Sequence, residues 1–272
     1  MAWFKRSSRF TILSTILAVA LTLGLIVNAP KRVQAQWTPS SLSNKLPTQW
    51  EFRPPRAPGQ PVNTVSGGTR GGCNQGEAPP IALVPDSKIG TTIAEYPTVF
   101  WYMPPTSAPA AEFLLRDAKD NDVYRVRYAL AQSALPDRQA SAFPQAMGVE
   151  GTPGLMSLSL PAFANLSPLE IGQDYYWVLA LICSPIDRSG EPSAEGWIRR
   201  VEPNPNLALR VNQATPEERV ALYADARLWY DTVNTLVELR RDRPNNNDLA
   251  DAWNKLLNSA GLGTIAKKQV VR

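Results

Sequence analysis

The nine residues Tyr175-Tyr176-Trp177-Val178-Leu179-Ala180-Leu181-Ile182-Cys183 contain no charge, glycine or proline. A short run rich in aromatic and branched side chains, apolar on both faces, reads as a central strand covered on two sides. Period two places Tyr175, Trp177, Leu179, Leu181 and Cys183 on one face. Whatever else the chain does, it must build a sheet around this segment and cover it.

The flanking sequence supplies the neighbours. Thr98-Val99-Phe100-Trp101-Tyr102-Met103 is β-branched and aromatic, bounded by Pro97 and Pro104. Glu112 to Arg116 alternates, with Phe113 and Leu115 on one face. Val123 to Tyr128 alternates too, setting Tyr124, Val126 and Tyr128 against Val123, Arg125 and Arg127. Asp117 to Asp122 between them reads as a hairpin turn. Met156, Leu158 and Leu160 oppose Ser157 and Ser159, and Gly196 to Val201 forms a further strand. Leu169 to Tyr175 has the pattern of a tyrosine corner, found in immunoglobulin-like and fibronectin type III domains. Short strands with proline and glycine turns and no intervening helix predict a sandwich.

After Pro205 the apolar period becomes helical. Thr215-Pro216-Glu217-Glu218 is a capping box with proline at the first helical position. Leu222, Ala226, Trp229, Val233, Leu236 and Arg240 continue it as one stripe. Arg243 to Asn247 breaks the pattern, and Leu249, Trp253, Leu256, Leu257 and Ala260 mark a second helix. Gly261 with Leu262 predicts a Schellman stop. The expected fold is mainly β with α: an immunoglobulin/fibronectin-like β-sandwich over 67–205, then a C-terminal helical hairpin within 206–266. Residues 267–272 form a basic tail. The proline-rich stretch 36–66 reads as an extended linker. The glycines between it and Cys73 read as a flexible approach, since no Lys-Ser/Thr opens a helix after them as a phosphate loop requires.

The amino terminus reads as an export signal. Lys5, Arg6 and Arg9 precede the apolar run Phe10–Val27, and Val33-Gln34-Ala35 offers a small-x-small cleavage site. The expectation is a signal peptide over 1–35; the alternative is a retained anchor. Lys31 and Arg32 beyond the apolar run oppose an N-in anchor. The leader also changes the charge argument. The whole chain carries +4, but the leader holds Lys5, Arg6, Arg9, Lys31 and Arg32 and no acid, so removing five charges leaves −1. A nearly neutral body gives nucleic acid no electrostatic hold. An oxidising compartment likewise makes one disulfide, Cys73 to Cys183, the natural reading of the two cysteines.

Several chemistries are excluded. There is no histidine, hence no Ser-His-Asp or Cys-His nucleophile and no His-ligated zinc or haem. No serine precedes a lysine by three residues beyond the leader, and no dinucleotide fingerprint appears. Carboxylate chemistry remains, as in glycoside hydrolysis, with Glu112, Asp117, Asp187, Glu191, Glu195 and Glu202 available. Nothing in the sequence pairs any two. Asp117, Asp120 and Asp122 lack the calcium-loop pattern and read as a turn. Asp187-Arg188-Ser189 and Arg199-Arg200 read as local ion pairing. No catalytic residue, metal site or cofactor is assigned.

Several blocks together carry a resemblance. They are Gly67-Gly68-Thr69-Arg70-Gly71-Gly72-Cys73, Ala82-Leu83-Val84-Pro85 and Pro97 to Tyr102, then Leu181-Ile182-Cys183 with Asp187-Arg188-Ser189. Gly196 to Pro203, Ala221 to Ala224, Trp229-Tyr230-Asp231, and Leu256-Leu257 through Gly261-Leu262 complete them. Over roughly residues 66–266 the chain resembles the cyanobacterial exported family of domain of unknown function 928. The resemblance implies a cyanobacterial envelope protein and no particular activity. The expected function is therefore that of an exported, periplasmic or secreted, non-catalytic binding or interaction module. Its partner would be a protein or glycan of the cell envelope. The alternatives are a carboxylate-dependent hydrolase acting on envelope or extracellular polysaccharide, and a calcium-stabilised adhesion module.

Overall fold

The computed structural model describes residues 41–48, 73, 78–130, 154–162, 166–184, 186–188 and 190–266. All lie within the unit Pro39–Arg272. The signal peptide, most of the linker, the glycine-rich approach and the basic tail lie outside the described residues. Eight strands and six helices are described. The strands are β1 (Ile81–Ala82), β2 (Ile89–Thr92), β3 (Thr98–Met103), β4 (Ala110–Asp117), β5 (Asp122–Ala129), β6 (Gly154–Ser159), β7 (Asp174–Ile182) and β8 (Ser193–Arg200). The helices are α1 (Ser41–Lys45), α2 (Pro205–Gln213), α3 (Pro216–Asp225), α4 (Trp229–Asp242), α5 (Asn247–Ser259) and α6 (Gly263–Ala266).

The strands form two open sheets, ordered β1-β3-β6 and β2-β8-β7-β4-β5. The nine-residue apolar run becomes β7, the middle strand of the larger sheet. Tyr175, Trp177, Leu179 and Leu181 are buried on one face, while Tyr176, Val178 and Ala180 on the other are only half-buried, so the strand is fully covered on one side and not on two. Phe113 and Leu115 of β4, Val126 and Tyr128 of β5 and Ile198 of β8 join the buried face. Residues of both sheets and of the helices belong to one hydrophobic cluster. Pairing is antiparallel except between β2 and β8, which run parallel. All four residues of β2 are buried, so it shows no alternation. The backbone N–H of Glu170 donates to Tyr175 Oη at 3.0 Å, so the predicted corner forms locally.

The helical region holds five helices after β8, where the sequence pattern predicts two. The apolar stripe from Leu222 to Arg240 is interrupted between α3 and α4. Arg227 takes φ 60°, Leu228 N–H donates to the Tyr223 carbonyl, and Arg227 N–H donates to the Ala224 carbonyl. This is a Schellman stop with arginine where glycine usually stands. The predicted stop at Gly261 (φ 77°) also forms, with Leu262 N–H on the Leu257 carbonyl. The capping box at Thr215 and Glu218 is complete.

Helix α4 is fixed to the large sheet, and to the segment after β1, by polar contacts within the core. Trp177 Nε1–H donates to Tyr230 Oη at 3.0 Å, and that hydroxyl donates to the Trp197 carbonyl at 2.9 Å. Trp229 Nε1–H donates to the Leu83 carbonyl at 2.8 Å. Farther along α4, the Arg240 guanidinium lies over the Trp253 ring, 5.0 Å from its centroid. One part of the expected linker also joins the body. Leu42 of α1 and the following Leu46 are buried in the core, and Lys255 Nζ donates to the Ser43 carbonyl.

Candidate functional site

The buried residues of β4, β7 and β8 alternate with a second face of the large sheet, and chemistry-bearing side chains collect there. On β4 this face takes Glu112, Leu114 and Arg116; on β5 it takes Arg125 and Arg127. On β7 it takes Asp174, Tyr176 and Val178, and on β8 Glu195, Trp197 and Arg199. Charged residues interrupt otherwise apolar strands at these positions because only the opposite face enters the core.

Glu112 is the centre of the largest cluster. Its side chain is 6% exposed, yet it meets three guanidiniums. Arg127 Nε bonds Oε2, Arg188 Nη1 bonds Oε1 at 2.9 Å, and Arg125 Nη1 reaches Oε1 at 3.3 Å. Arg188 arrives from the β7–β8 connection and also holds Glu191 through two bonds, at 2.9 and 2.8 Å. Burial pushes the Glu112 carboxyl up, but the bonds from Arg127 and Arg188, with their charges, outweigh it and hold the carboxyl below its ordinary value. Asp122, bonded by Arg125 and then Arg116, is lowered as well.

The neighbouring strands add an aromatic pair. The Tyr176 and Trp197 rings lie 5.0 Å apart at 44°. The Tyr176 hydroxyl donates to Glu195 Oε2, and burial followed by the Glu195 carboxylate holds the phenol above its usual range. Asp174 and Arg199 form a two-pronged pair at 2.5 and 2.6 Å.

A different carboxylate lies at the start of α4. Asp231 lines a recess of about 80 Å³ with Thr92, Tyr96, Thr98 and Asn234 among its walls. It accepts from the Ile93 N–H at 3.2 Å. Burial pushes this carboxyl up to about 6, a rise only partly opposed by the Thr92 hydroxyl and the Ile93 N–H.

The sequence-derived candidates fall as follows. Cys73 and Cys183 form a disulfide with Cα atoms 5.3 Å apart. The Cys73 carbonyl is further held by Ser107 N–H at 3.0 Å and the Thr106 hydroxyl at 3.1 Å. Glu112 and Glu191 come together through Arg188, and Glu195 shares the same sheet face. Asp117 instead builds the β4–β5 turn, accepting from the backbone N–H of Lys119 and of Asn121. Asp187 and Glu202 are exposed. Asp120 and Asp122 bind Arg116, so the three turn aspartates do not converge on a common point. Among the described residues no group of three or more Asp, Glu or Cys side chains is arranged to hold a metal ion. Nor is Arg188 purely a local partner, since Glu112 lies 76 residues away in sequence. Asp231 escapes the sequence reading; its one signal is an acid directly after the apolar Leu228-Trp229-Tyr230.

These features define a mixed α/β protein with two open sheets, a disulfide and an ion-paired, aromatic sheet face. The family model described as Domain of Unknown Function (DUF928) matches residues 65–270, and the chain belongs to that family. No curated protein and no solved structure matches it.

Proposed function

We propose that this chain is an exported protein of the cyanobacterial cell envelope, periplasmic or secreted, that works by binding rather than catalysis. In this reading residues 1–35 are removed as a signal peptide. The two sheets form an immunoglobulin-like sandwich over 67–205, and a helical hairpin within 206–266 packs on it. The Tyr175 corner and the shared hydrophobic cluster support the sandwich. The contact surface is the polar face of the large sheet, and the partner is a protein or glycan of the envelope.

One observation carries the preference for binding over hydrolysis. A glycosidase needs one carboxyl held protonated beside one held ionised. On or beside this face Glu112, Glu191, Asp174 and Asp122 are each bonded by an arginine, a contact that favours the ionised form of a carboxyl. These ion pairs make the face a set of fixed donors and acceptors, which suits binding better than proton transfer. Among the described residues no helix is long and apolar enough to cross a membrane. The test is capture from envelope extract with the immobilised mature chain. Retention of a protein or glycan that is lost in Trp197→Ala supports the reading, and failure to retain either overturns it. Mass spectrometry of the native N-terminus checks export: a chain beginning at Gln36 is expected, and one beginning at Met1 contradicts cleavage.

A further inference from the structure

The ligand's chemistry can be narrowed from one cross-strand row. Trp197, Tyr176, Arg116 and Asp122 are register partners on β8, β7, β4 and β5. Three inter-strand spacings give the row a width of roughly 14 Å. It presents two aromatic rings, a guanidinium and a carboxylate in a line across the sheet. Trp197 and Tyr176 remain partly accessible, and the Arg116 and Asp122 side chains are 34% and 44% exposed.

Charge balance then separates the ligand classes. Arg116, Arg125, Arg127, Arg188 and Arg199 are each already paired with a carboxylate on or beside this face. A polyanion would have to compete with those carboxylates, several of them largely buried, and leave them unpaired. A neutral polyol has no such conflict. Its C–H faces lie on aromatic rings, while its hydroxyls accept from guanidinium and donate to carboxylate without breaking the pairs. The ring pair sets a stacking position and the Arg116–Asp122 pair a hydrogen-bonding position beside it. We infer that this row is a binding subsite for a neutral, hydroxyl-rich glycan. The inference rests on the binding reading above and specifies its ligand.

The experiment is affinity electrophoresis and calorimetry of the full chain with a soluble neutral β-glucan, and with polygalacturonate as the anionic comparison. The neutral glucan is expected to bind, with an affinity that changes less than twofold between 50 and 500 mM NaCl. Trp197→Ala should weaken it at least tenfold and Arg116→Gln severalfold. Arg243→Ala, which breaks a pair with Glu217 among the helices, should leave it unchanged. Arg116→Gln keeps the test valid if Trp197→Ala fails to fold. Salt-sensitive binding of polygalacturonate alone overturns the inference, as does glucan binding that survives both sheet-face substitutions. Capture of an envelope protein through Trp197 with no glucan bound overturns it too, while leaving the binding reading intact. Retention of neither glycan nor protein overturns both.

Discussion

Glu112 is met by three guanidiniums, whereas Asp231 accepts from a hydroxyl and a backbone N–H, so the two carboxyls titrate in opposite directions. Glu112 has a folded-state value below its ordinary 4.5. Its stabilising contribution is therefore present above that pH and is lost as pH falls through the folded value. Glu112→Ala leaves Arg125, Arg127 and Arg188 around a missing charge. Because those arginines are 37–48% exposed, water screens part of the penalty, and a loss of about 2–4 kcal/mol is expected at pH 7. Urea unfolding measures it, and the gap from the parent chain should narrow at pH 3. Asp231 has a folded-state value raised from 3.8 to about 6. Its contribution is full below about pH 4 and is lost as pH rises through about 6. Asp231→Asn keeps an acceptor for the Ile93 N–H and removes the titration. The variant should be more stable than the parent above pH 7, by about 1–2 kcal/mol, and the parent's fall in stability between pH 4 and 6 should disappear. Equal slopes for the two proteins would contradict this assignment. Glu112 is legible in the sequence as an acid in an alternating strand, whereas Asp231 is marked only by following the apolar Leu228-Trp229-Tyr230. Arg125 and Arg127 face Glu112 across the expected hairpin, but Arg188 lies 76 residues from Glu112 and Ile93 138 from Asp231, and only the fold brings these near.

At the scale of elements, the legible parts are those with strong period and ordinary turn chemistry. β3 to β7 all form where the sequence places strands: burial alternates along β5 and β7, whereas residues 99–103 of β3 are all buried, and the Asp117–Asp122 turn joins β4 to β5 as expected. The break between α3 and α4 was hidden because Arg227, not glycine, occupies its left-handed position, while the stripe on either side keeps helical spacing. β2 was hidden for another reason: Ile89, Gly90, Thr91 and Thr92 are all buried, and a four-residue strand without alternation carries no period. Gly90 shows what β2 does. A Cβ there would stand 2.7 Å from the Tyr230 ring and 2.9 Å from the Trp229 ring, so glycine lets α4 lie directly on the strand. Gly90→Ala must move two large buried rings, one of which holds the Trp177 and Trp197 hydrogen bonds. The expected cost is about 1–3 kcal/mol, read as a lower Tm with altered near-ultraviolet circular dichroism from the displaced Trp229 and Tyr230 rings. An unchanged Tm would mean that α4 adjusts without strain.

For the whole molecule, two connections join parts of the chain that sequence order keeps far apart. Leu42 and Leu46 bring a piece of the expected linker into the core, next to α5 through the Lys255–Ser43 contact. Cys73 and Cys183 join the segment before the sheets to the end of β7 across 110 residues. The sequence predicts the second connection from cysteine number and compartment but not the first, since two leucines among prolines have no period to read. The two connections act on different states. The leucines stabilise the folded state by burial, while the disulfide chiefly restricts the unfolded chain. Closing a loop of this length is worth about 4–5 kcal/mol in the chain-entropy model. Replacing both cysteines, Cys73→Ser with Cys183→Ser, should therefore lower the urea midpoint and also raise the m-value. The freed unfolded chain expands and exposes more surface. The folded variant should keep its near-ultraviolet spectrum, because Thr106 and Ser107 still hold the carbonyl at position 73. A fall in midpoint with an unchanged m-value and a lost near-ultraviolet signal would instead make the disulfide a prop of the folded state.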